Sequence, residues 1–310
     1  MFEDLFSKGG LSLERLRSFM LMANAGSIAK AAPQAPTRQS QISRQIKELE
    51  SFFGAELTQR RGKSLTLSPA GVRLTALIRE QLQDLEDFRR EQASAAKVFT
   101  IGSGGSTLEW LVMPHLPALS QLLGDAVLRT EMQRSKSLVE SVREGRVDLA
   151  VLRHDAIPKA SKANTLKLIT LTFHLCVPRR LLKRGTRAED LADTLLWAGL
   201  PFAAGRDGGQ MDLAVREGMA AAGVDFKPRF ECGSLLQAKQ LVELGACATV
   251  LPSLGIANLS HHDILVAPFK PLAHYGRALA LHWNPRQMKR RGVEDRVLRE
   301  VATALRRENP

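Results

Sequence analysis

The stretch Gly26–Glu50, GSIAKAAPQAPTRQSQISRQIKELE, constrains this chain more than any other. Thr37, just after Pro36, reads as an N-cap, and apolar side chains then recur at Ile42, Ile46, Leu49 and Phe53. Steps of four, three and four place them on one stripe of a helix. Ser40, Arg44, Lys47 and Ser51 fall roughly opposite. Such a helix is held to a small core on one side and offers hydrogen-bond donors and positive charge on the other, which suits the major groove of a duplex. Periodicity alone fits an ordinary solvated surface helix as well, so the neighbouring segments decide.

Ser27 caps a short preceding helix, expected over Ile28–Ala32, whose small residues Ala29, Ala31 and Ala32 let two backbones approach closely. After the second helix, Leu57–Arg60 and Ser64–Leu67 pair as short strands around Arg61, Gly62 and Lys63. The sum is a winged helix-turn-helix with a basic wing tip. Between Arg15 and Arg79 eleven Lys and Arg face three acids, whereas between Glu80 and Ala96 two arginines face five. The positive field therefore sits on the motif and reverses after it, as expected of a DNA-facing module followed by a partner-facing helix.

The runs LRSFMLMANAGSIAKAA, SQISRQIKELE and GAELTQRRGKSLTLSPAG resemble, in order and spacing and without a gap, the DNA-binding domain of the LysR-type transcriptional regulators of bacteria. Three positions depart from that pattern. Pro33 falls where the first helix of the motif normally continues, and its missing N–H and ring shorten or kink that helix. Ser40 stands for a common proline and Thr58 for a usual aromatic.

The formal charge of +12 calls for a polyanionic partner or anionic small ligands and says nothing of fold. At 310 residues, 44% hydrophobic and 25% charged, the chain has room for a small domain and a larger one or two. No run is long enough to span a bilayer, and the start MFEDLFSKGG carries acids early and lacks a signal-like apolar stretch, so no membrane role and a cytoplasmic, nucleoid-associated location are expected. Cys176, Cys232 and Cys247 form no C-x-x-C pair and read as reduced thiols packed as small hydrophobes, with Cys232 the candidate for a redox role.

Met1–Gly10 reads as a loose tail and Leu11–Ala25 as a helix burying Leu13, Leu16, Phe19, Met20 and Ala23. Ser68 caps and Pro69 opens a helix reaching about Ala96, with a coiled-coil-like stripe of Leu74, Ile78, Leu85 and Phe88, and Gln81 or Leu82 filling the gap. So long a stripe beside so small a domain is read as a dimerisation surface rather than as packing on its own domain. From Val98 the pattern alternates: strand Val98–Gly102, loop SGGST, helix Leu108–Leu122, strand Ala126–Met132, helix Leu138–Glu144, strand Val147–Leu152. That is an α/β unit with a mainly parallel sheet.

EGRVDLAVLR, LVELGACATVLP and the basic tail Val293–Arg307 resemble the same family's effector-binding domain, which is similar to the two-lobed periplasmic solute-binding proteins. The usual second glycine near Gly245 is here Cys247. The resemblance implies a winged helix-turn-helix over residues 1–67, a linker and dimerisation helix over 68–97, and a two-lobed α/β effector domain over 98–310. Its first lobe would take about 98–173 and 264–310, its second about 174–263.

In open α/β sheets, ligands sit at strand carboxyl ends beside helix N-termini. The loop Ser103, Gly104, Gly105, Ser106, Thr107 lies at such a place and suits a carboxylate or another small anion, although a helix cap in a glycine-rich turn would look the same. In the family, polar residues there contact the effector, which implies that role for Ser103, Ser106 and Thr107. Arg153, past a strand end, and Gly205 and Arg206, after the first strand of the second lobe, are further candidates.

No catalytic constellation emerges. His261, His262 and Asp263 lack a further ligand at zinc spacing and read as a loop cluster, and GSGGS lacks the lysine of a phosphate-binding loop. Neither a metal, a cofactor nor an enzymatic activity is expected. The expected function is a LysR-type regulator that binds double-stranded promoter DNA. Arg38, Lys47, Arg61 and Lys63 are assigned to phosphates, Gln39, Ser40, Gln41 and Arg44 to base edges, and Ser27 and Ser43 complete the DNA-binding set. The resemblance implies a homodimer or homotetramer, a small, anionic effector that alters the geometry on DNA, and RNA polymerase as a candidate partner. The rival readings are a ligand-free constitutive repressor or architectural protein, and a solute-binding module or enzyme for anionic metabolites.

Overall fold

The apolar stripe of the Gly26–Glu50 stretch closes a small core. In the computed structural model, which describes residues 2–7, 9–61, 64–197, 199–206 and 209–307, five helices and a two-stranded sheet precede Ala95 among the described residues. They are α1 (Glu3–Ser7), α2 (Leu13–Ala25), α3 (Ile28–Ala31), α4 (Pro36–Phe53), β1 (Thr58–Arg61), β2 (Ser64–Leu67) and α5 (Pro69–Gln92). Phe19 and Met22 of α2, Ile42, Ile46 and Leu49 of α4, Leu57 and Ile78 are all buried together. Leu13 and Phe53, expected in this core, are exposed because each sits at a helix end beyond it, while Met22 and Gln45 are buried instead.

Local chemistry sets the helix ends. Ser12, Ser27 and Ser68 each accept a backbone N–H of the first turn they cap. Pro36 is the first residue of α4 and Ala35 precedes it without a side-chain cap, so Thr37 lies inside the first turn and is not the cap. α3 stops at Ala31, before Pro33, in keeping with a residue that lacks an N–H. The expected tail holds the short helix α1. Glu50 ties α4 to the wing: its Oε1 accepts the Leu57 and Thr58 N–H groups at 2.9 and 3.0 Å and the Thr58 hydroxyl at 3.0 Å. The hydroxyl that replaces the family's usual aromatic is thus anchored.

β1 and β2 pair antiparallel from Thr58 opposite Leu67 to Arg61 opposite Ser64. Ser68 donates to the Glu56 carbonyl at 2.6 Å and accepts from Gly71 N at 3.0 Å. A Cβ on Gly71 would stand 2.0 Å from the Leu57 carbonyl oxygen, so only glycine lets α5 pass so close to the wing. Leu74 and Ile78 of α5 join the core. Leu77, Leu82, Leu85 and Phe88 are exposed. The helix ends at Gln92, short of the expected Ala96.

Contacts divide the chain into two compact units, one up to Ala95 and, apart from the stretch Arg143–Arg146, one from Ala96 onward. The second opens with β3 (Val98–Ser103) and a helical run that begins as α6 (Gly105–Thr107). The run continues through a π turn at Leu108–Val112 and a 3₁₀ turn at Met113–His115 into α7 (Leu116–Leu122). The expected loop therefore shrinks to Gly104, and Pro114, which has no N–H to give, falls where the regular pattern breaks. Then follow β4 (Val127–Met132), α8 (Ser135–Arg143), β5 (Leu149–Arg153), β6 (Thr165–Leu171), β7 (Phe173–Pro178), β8 (Ala203–Gly205), α9 (Gln210–Ala221) and β9 (Phe230–Cys232). The remainder is α10 (Leu235–Glu243), β10 (Thr249–Pro252), α11 (Ser253–Ile256), β11 (Ile264–Pro268), β12 (Arg277–Trp283), α12 (Pro285–Arg290) and α13 (Asp295–Arg306).

Among the described residues one sheet runs β4-β3-β5-β12-β6. β3 is parallel to β4 and β5, whereas β12 is antiparallel to β5 and β6. In the second half of this unit β7 lies antiparallel between β10 and β11, and β8 pairs parallel with β9. The sheets are thus mixed rather than mainly parallel. The chain crosses from one sheet to the other at Thr172 and returns after β11, and strands entering from such crossings run against their neighbours. Ile264–Pro268 pairs with β7, so the return lies after Pro268 and not at the expected Ile264.

Candidate functional site

α4 presents two unlike faces. Ile42, Gln45, Ile46 and Leu49 are buried, while Arg38, Ser40, Gln41, Arg44 and Lys47 are exposed and Gln39 and Ser43 half-buried. Arg44 keeps three-quarters of its side chain in solvent, with Glu48 3.6 Å away along the helix, a distance that leaves the guanidinium free to swing outward. Arg15 of α2 also pairs with Glu48, and so braces α4 from within.

Two glutamines differ from their expected role. Gln39 Nε2 donates to the Ala32 carbonyl at 2.8 Å and so closes the turn between α3 and α4. Gln41 Nε2 donates to Glu14 of α2 at 3.2 Å, beside Gln45, which donates to the same oxygen at 3.1 Å. Both bonds hold the motif in shape, and Gln41 stays exposed at the surface. Ser27 likewise spends its hydroxyl on the Lys30 N–H as a cap. Arg61 ends β1 as a strand residue instead of lying in the turn, and Lys63 and the side chain of Arg61 lie outside the described residues.

The candidate ligand residues of the second unit do not converge on one point. Ser103 is fully buried and its hydroxyl donates to the Val151 carbonyl at 2.8 Å, so it staples β3 to β5 and is withdrawn from any cleft. Ser106 and Thr107, half-buried, form the first turn of the helical run. Gly205 and Arg206 line a largely apolar cavity of about 160 Å³, together with Phe202, Met211, Val215, Phe226, Cys232, Ser234 and Thr249. Arg153 lines a different and larger cavity of about 510 Å³, whose walls are His154 and Asp155, then Gln210, Leu213, Ala214 and Glu217 of α9, and Tyr275–Ala278. Neither cavity is lined by Ser106 or Thr107.

Tyr275, the chain's single tyrosine, and Arg277 escaped the sequence reading because nothing in the local pattern of Tyr-Gly-Arg marks a ligand site. Arg277 donates to the Tyr275 hydroxyl and stacks with its guanidinium carbon 5.1 Å from that ring. Burial lowers the Arg277 guanidinium below the usual arginine range; Tyr275 opposes this shift and the nearby charge of Arg153 adds to it. Arg153 Nε lies 3.1 Å from the Asp155 carboxylate, which is itself well exposed. Burial, and then Lys162 and Lys167, push His154 below its ordinary value, which favours the neutral ring.

The three cysteines are free and buried. Burial pushes the Cys176 thiol up to about 12 and that of Cys247 up to about 11, and raises Cys232 in the same direction. A thiol so held is not the low-pKa nucleophile that a redox sensor needs. His262 Nδ1 lies 2.9 Å from Asp263, which also accepts from Ser260 at 2.8 Å, a local loop network. No helix among the described residues is long and apolar enough to cross a membrane.

Known proteins share both parts of this arrangement. The family model described as the LysR substrate binding domain matches residues 92–304, and that described as the bacterial regulatory helix-turn-helix protein, lysR family, matches residues 13–72. The HTH-type transcriptional regulator TrpI of Pseudomonas aeruginosa is 29% identical over 224 residues, 71% of this chain and 74% of that protein. PecT of Dickeya dadantii is 24% identical over 249 residues, 77% of this chain and 72% of its own. In fold, a full-length OxyR variant from Pseudomonas aeruginosa superposes with a TM-score of 0.57 at 21% identity, covering 96% of this chain and 95% of that one. Full-length CbnR complexed with its target DNA superposes at 0.52 and 18% identity, covering 94% and 99%. A basic helix seated on its own core, followed by an α/β unit of mixed sheets and matched by both halves of one family, makes this chain a member of the LysR family of bacterial transcriptional regulators, DNA-binding proteins with an effector-binding domain.

Proposed function

We propose that α4 enters the major groove of promoter DNA with Ser40 and Arg44 toward base edges and Arg38 and Lys47 toward phosphates. One observation carries this reading: the helix buries Ile42, Ile46 and Leu49 while leaving those four side chains exposed. An arginine reading guanine contributes about 1–3 kcal/mol of discrimination, and a lysine on phosphate contributes affinity without sequence preference. Gln39 and Gln41 act through position, holding the turn and the α2 contact. Arg61 and Lys63 extend the same reading to the wing.

The exposed stripe of α5 supports a homodimer or homotetramer, which would set two recognition helices on half-sites of one duplex face. The C-terminal unit takes a small, anionic effector that alters the assembly on DNA and, through RNA polymerase, transcription in the cytoplasmic nucleoid. The ligand-free architectural protein and the solute-binding enzyme are less favoured, since both halves of the chain match one regulator family.

The test is fluorescence anisotropy of the full chain on fragments recovered by genome-wide mapping of bound sites, against scrambled fragments. Arg44→Ala should flatten the preference at one base position, while Lys47→Ala should weaken all fragments alike and lower the salt slope by about 1. Equal loss on every sequence for Arg44→Ala would make Arg44 a phosphate contact only.

A further inference from the structure

We propose that Trp110 is a latch that fixes the separation of the two halves of the C-terminal unit. The residue lies in the helical run that follows β3 of the five-stranded sheet, yet its indole is seated in the half built on β7, β10 and β11. Leu108, Leu111 and Val112 of the same turn are buried in the large core cluster with Phe99 and Ile101 of β3. Trp110 falls on the opposite side of the turn from them. Its ring packs instead on a separate cluster that includes Cys176, Ala238, Leu251 and Ile264, all of the other half.

The seat is specific in shape. A Cβ on Gly255 of α11 would stand 2.7 and 2.8 Å from Trp110 Cζ3 and Cη2, well inside the roughly 3.5–4.0 Å at which carbons rest. The six-membered ring therefore lies on bare backbone. Gly255 is buried in a helical turn and lacks the positive φ that would call for glycine. Glycine weakens a helix at such a place, and the ring accounts for it. Lys239 of α10 holds its Nζ 5.9 Å from the ring centre, within cation–π reach. That ammonium is itself tied to the Ala257 carbonyl at 3.1 Å and to Glu243 at 3.8 Å. The indole thus meets both α10 and α11.

The contact stands beside the place where the chain crosses between the halves. α11 starts at Ser253, whose N–H donates to the Thr172 carbonyl at 2.8 Å and whose Oγ accepts from Thr172 N at 3.4 Å. Thr172 is the crossing residue, so a rotation about it drags Gly255 across the ring. The large core cluster also continues from one half into the other, but aliphatic side chains can change rotamer to follow a shift. A rigid ring on bare backbone has a discrete seat. One separation of the halves is therefore the dominant state, and anything that favours another must first unseat Trp110.

The experiment places spin labels on the full chain at Lys159→Cys in one half and Asp225→Cys in the other, both exposed positions. The native cysteines are buried and label slowly. Pulsed electron–electron double resonance, with labelled chain diluted in unlabelled chain, then reads the distance within one subunit. Without Trp110 or Gly255 changed, one narrow distance is expected, with any second population below about a tenth. Gly255→Ala and Trp110→Leu should each raise a second population severalfold while still melting cooperatively. Gly255→Ala should also lower the melting temperature far more beside Trp110 than in the Trp110→Leu background, where the added methyl has room. If Gly255→Ala does not fold, Trp110→Leu and Lys239→Met carry the distance comparison. The proposal is overturned if the folded variants keep the single distance and only melt earlier, or if the cost of Gly255→Ala is the same with and without the indole.

Discussion

Arg291 donates from Nη1 to Asp148 Oδ1 across 2.7 Å, with both side chains almost wholly removed from solvent. The guanidinium also donates to the Val98 carbonyl at 2.7 Å and lies 3.9 Å from the centre of the Phe99 ring. Asp148 accepts in addition from Thr100 N and Gln287 Nε2, at 2.7 and 2.6 Å. The pair therefore ties the segment after α12 to β3 and to the start of β5. Removing one partner takes this ion pair from the other buried charge, a loss of about 3–5 kcal/mol. Arg291→Met should lower the unfolding free energy of the C-terminal unit, read from its denaturation midpoint, by that order, and Asp148→Asn by less because an amide oxygen in place of Oδ1 still accepts from Arg291 and Gln287. A midpoint unchanged in Arg291→Met would show that the pair adds nothing.

Gly71 offers a test of the approach of α5 to the wing. With a Cβ position 2.0 Å from the Leu57 carbonyl oxygen, Gly71→Ala forces the backbone apart, and crowding of this kind costs about 1–3 kcal/mol. The variant should melt earlier and bind its DNA fragment less well, because β1 starts at Thr58, the residue after the displaced Leu57. Gly54→Ala, where a Cβ would meet nothing within 4 Å, should cost less, and its cost should come from its positive φ of 62° alone. Equal melting of Gly71→Ala and wild type would refute the close packing.

The helix-turn-helix was legible from residues alone because its signals are local. Ser27, Ser68 and Pro69 mark helix starts, Thr37 read as a cap misses the start at Pro36 by two residues, and Ile42, Ile46 and Leu49 repeat at helical spacing. Leu13 and Phe53 share that spacing and still lie in solvent, since periodicity gives a face and not the extent of the core beneath it. Strand direction failed for a related reason. β12 is rich in apolar residues like a parallel core strand, but its antiparallel course follows from the crossings at Thr172 and after Pro268, which are facts of topology. Gln39 and Gln41 looked like base readers until their tertiary acceptors, Ala32 and Glu14, were in place. Ser103 looked like a ligand contact until Val151 appeared beside it. Arg153 was visible as a charge past a strand end, whereas its neighbours Tyr275 and Arg277 come from a distant part of the chain.

The cysteines test the redox reading directly. Thiols raised to about 12 at Cys176 and about 11 at Cys247 carry far less thiolate at pH 7.5 than unfolded cysteine does. Alkylation by iodoacetamide should then run slower by a factor of hundreds or more in the native chain than in denaturant, on the order set by an unfolded value of about 8.5. Burial that favours the neutral thiol also couples stability to pH. The contribution is fully present below the unfolded value and is lost as pH rises through the folded ones, so stability should fall from about pH 8.5 upward. Rapid native labelling of Cys232, or its oxidation by dilute peroxide ahead of unfolding, would restore it as a sensor.

Leu85 and Phe88 of α5 bear on how two copies meet. Both are exposed, 59% and 61%, so changing them removes little packing within the chain, and the unfolding midpoint of one subunit should stay nearly fixed. A large apolar side chain withdrawn from water contributes about 1.5–3 kcal/mol. Replacing both with aspartate places like charges where two stripes would meet. The double variant Leu85→Asp, Phe88→Asp should therefore weaken self-association by at least about a hundredfold, equivalent to about 2.7 kcal/mol. Sedimentation velocity over a concentration series measures it, and DNA carrying two half-sites reports the same loss as a fall in cooperative binding toward that of a single half-site. A variant that still sediments as the wild-type oligomer would place the interface elsewhere on the chain and leave the exposed stripe of α5 without the role argued for it.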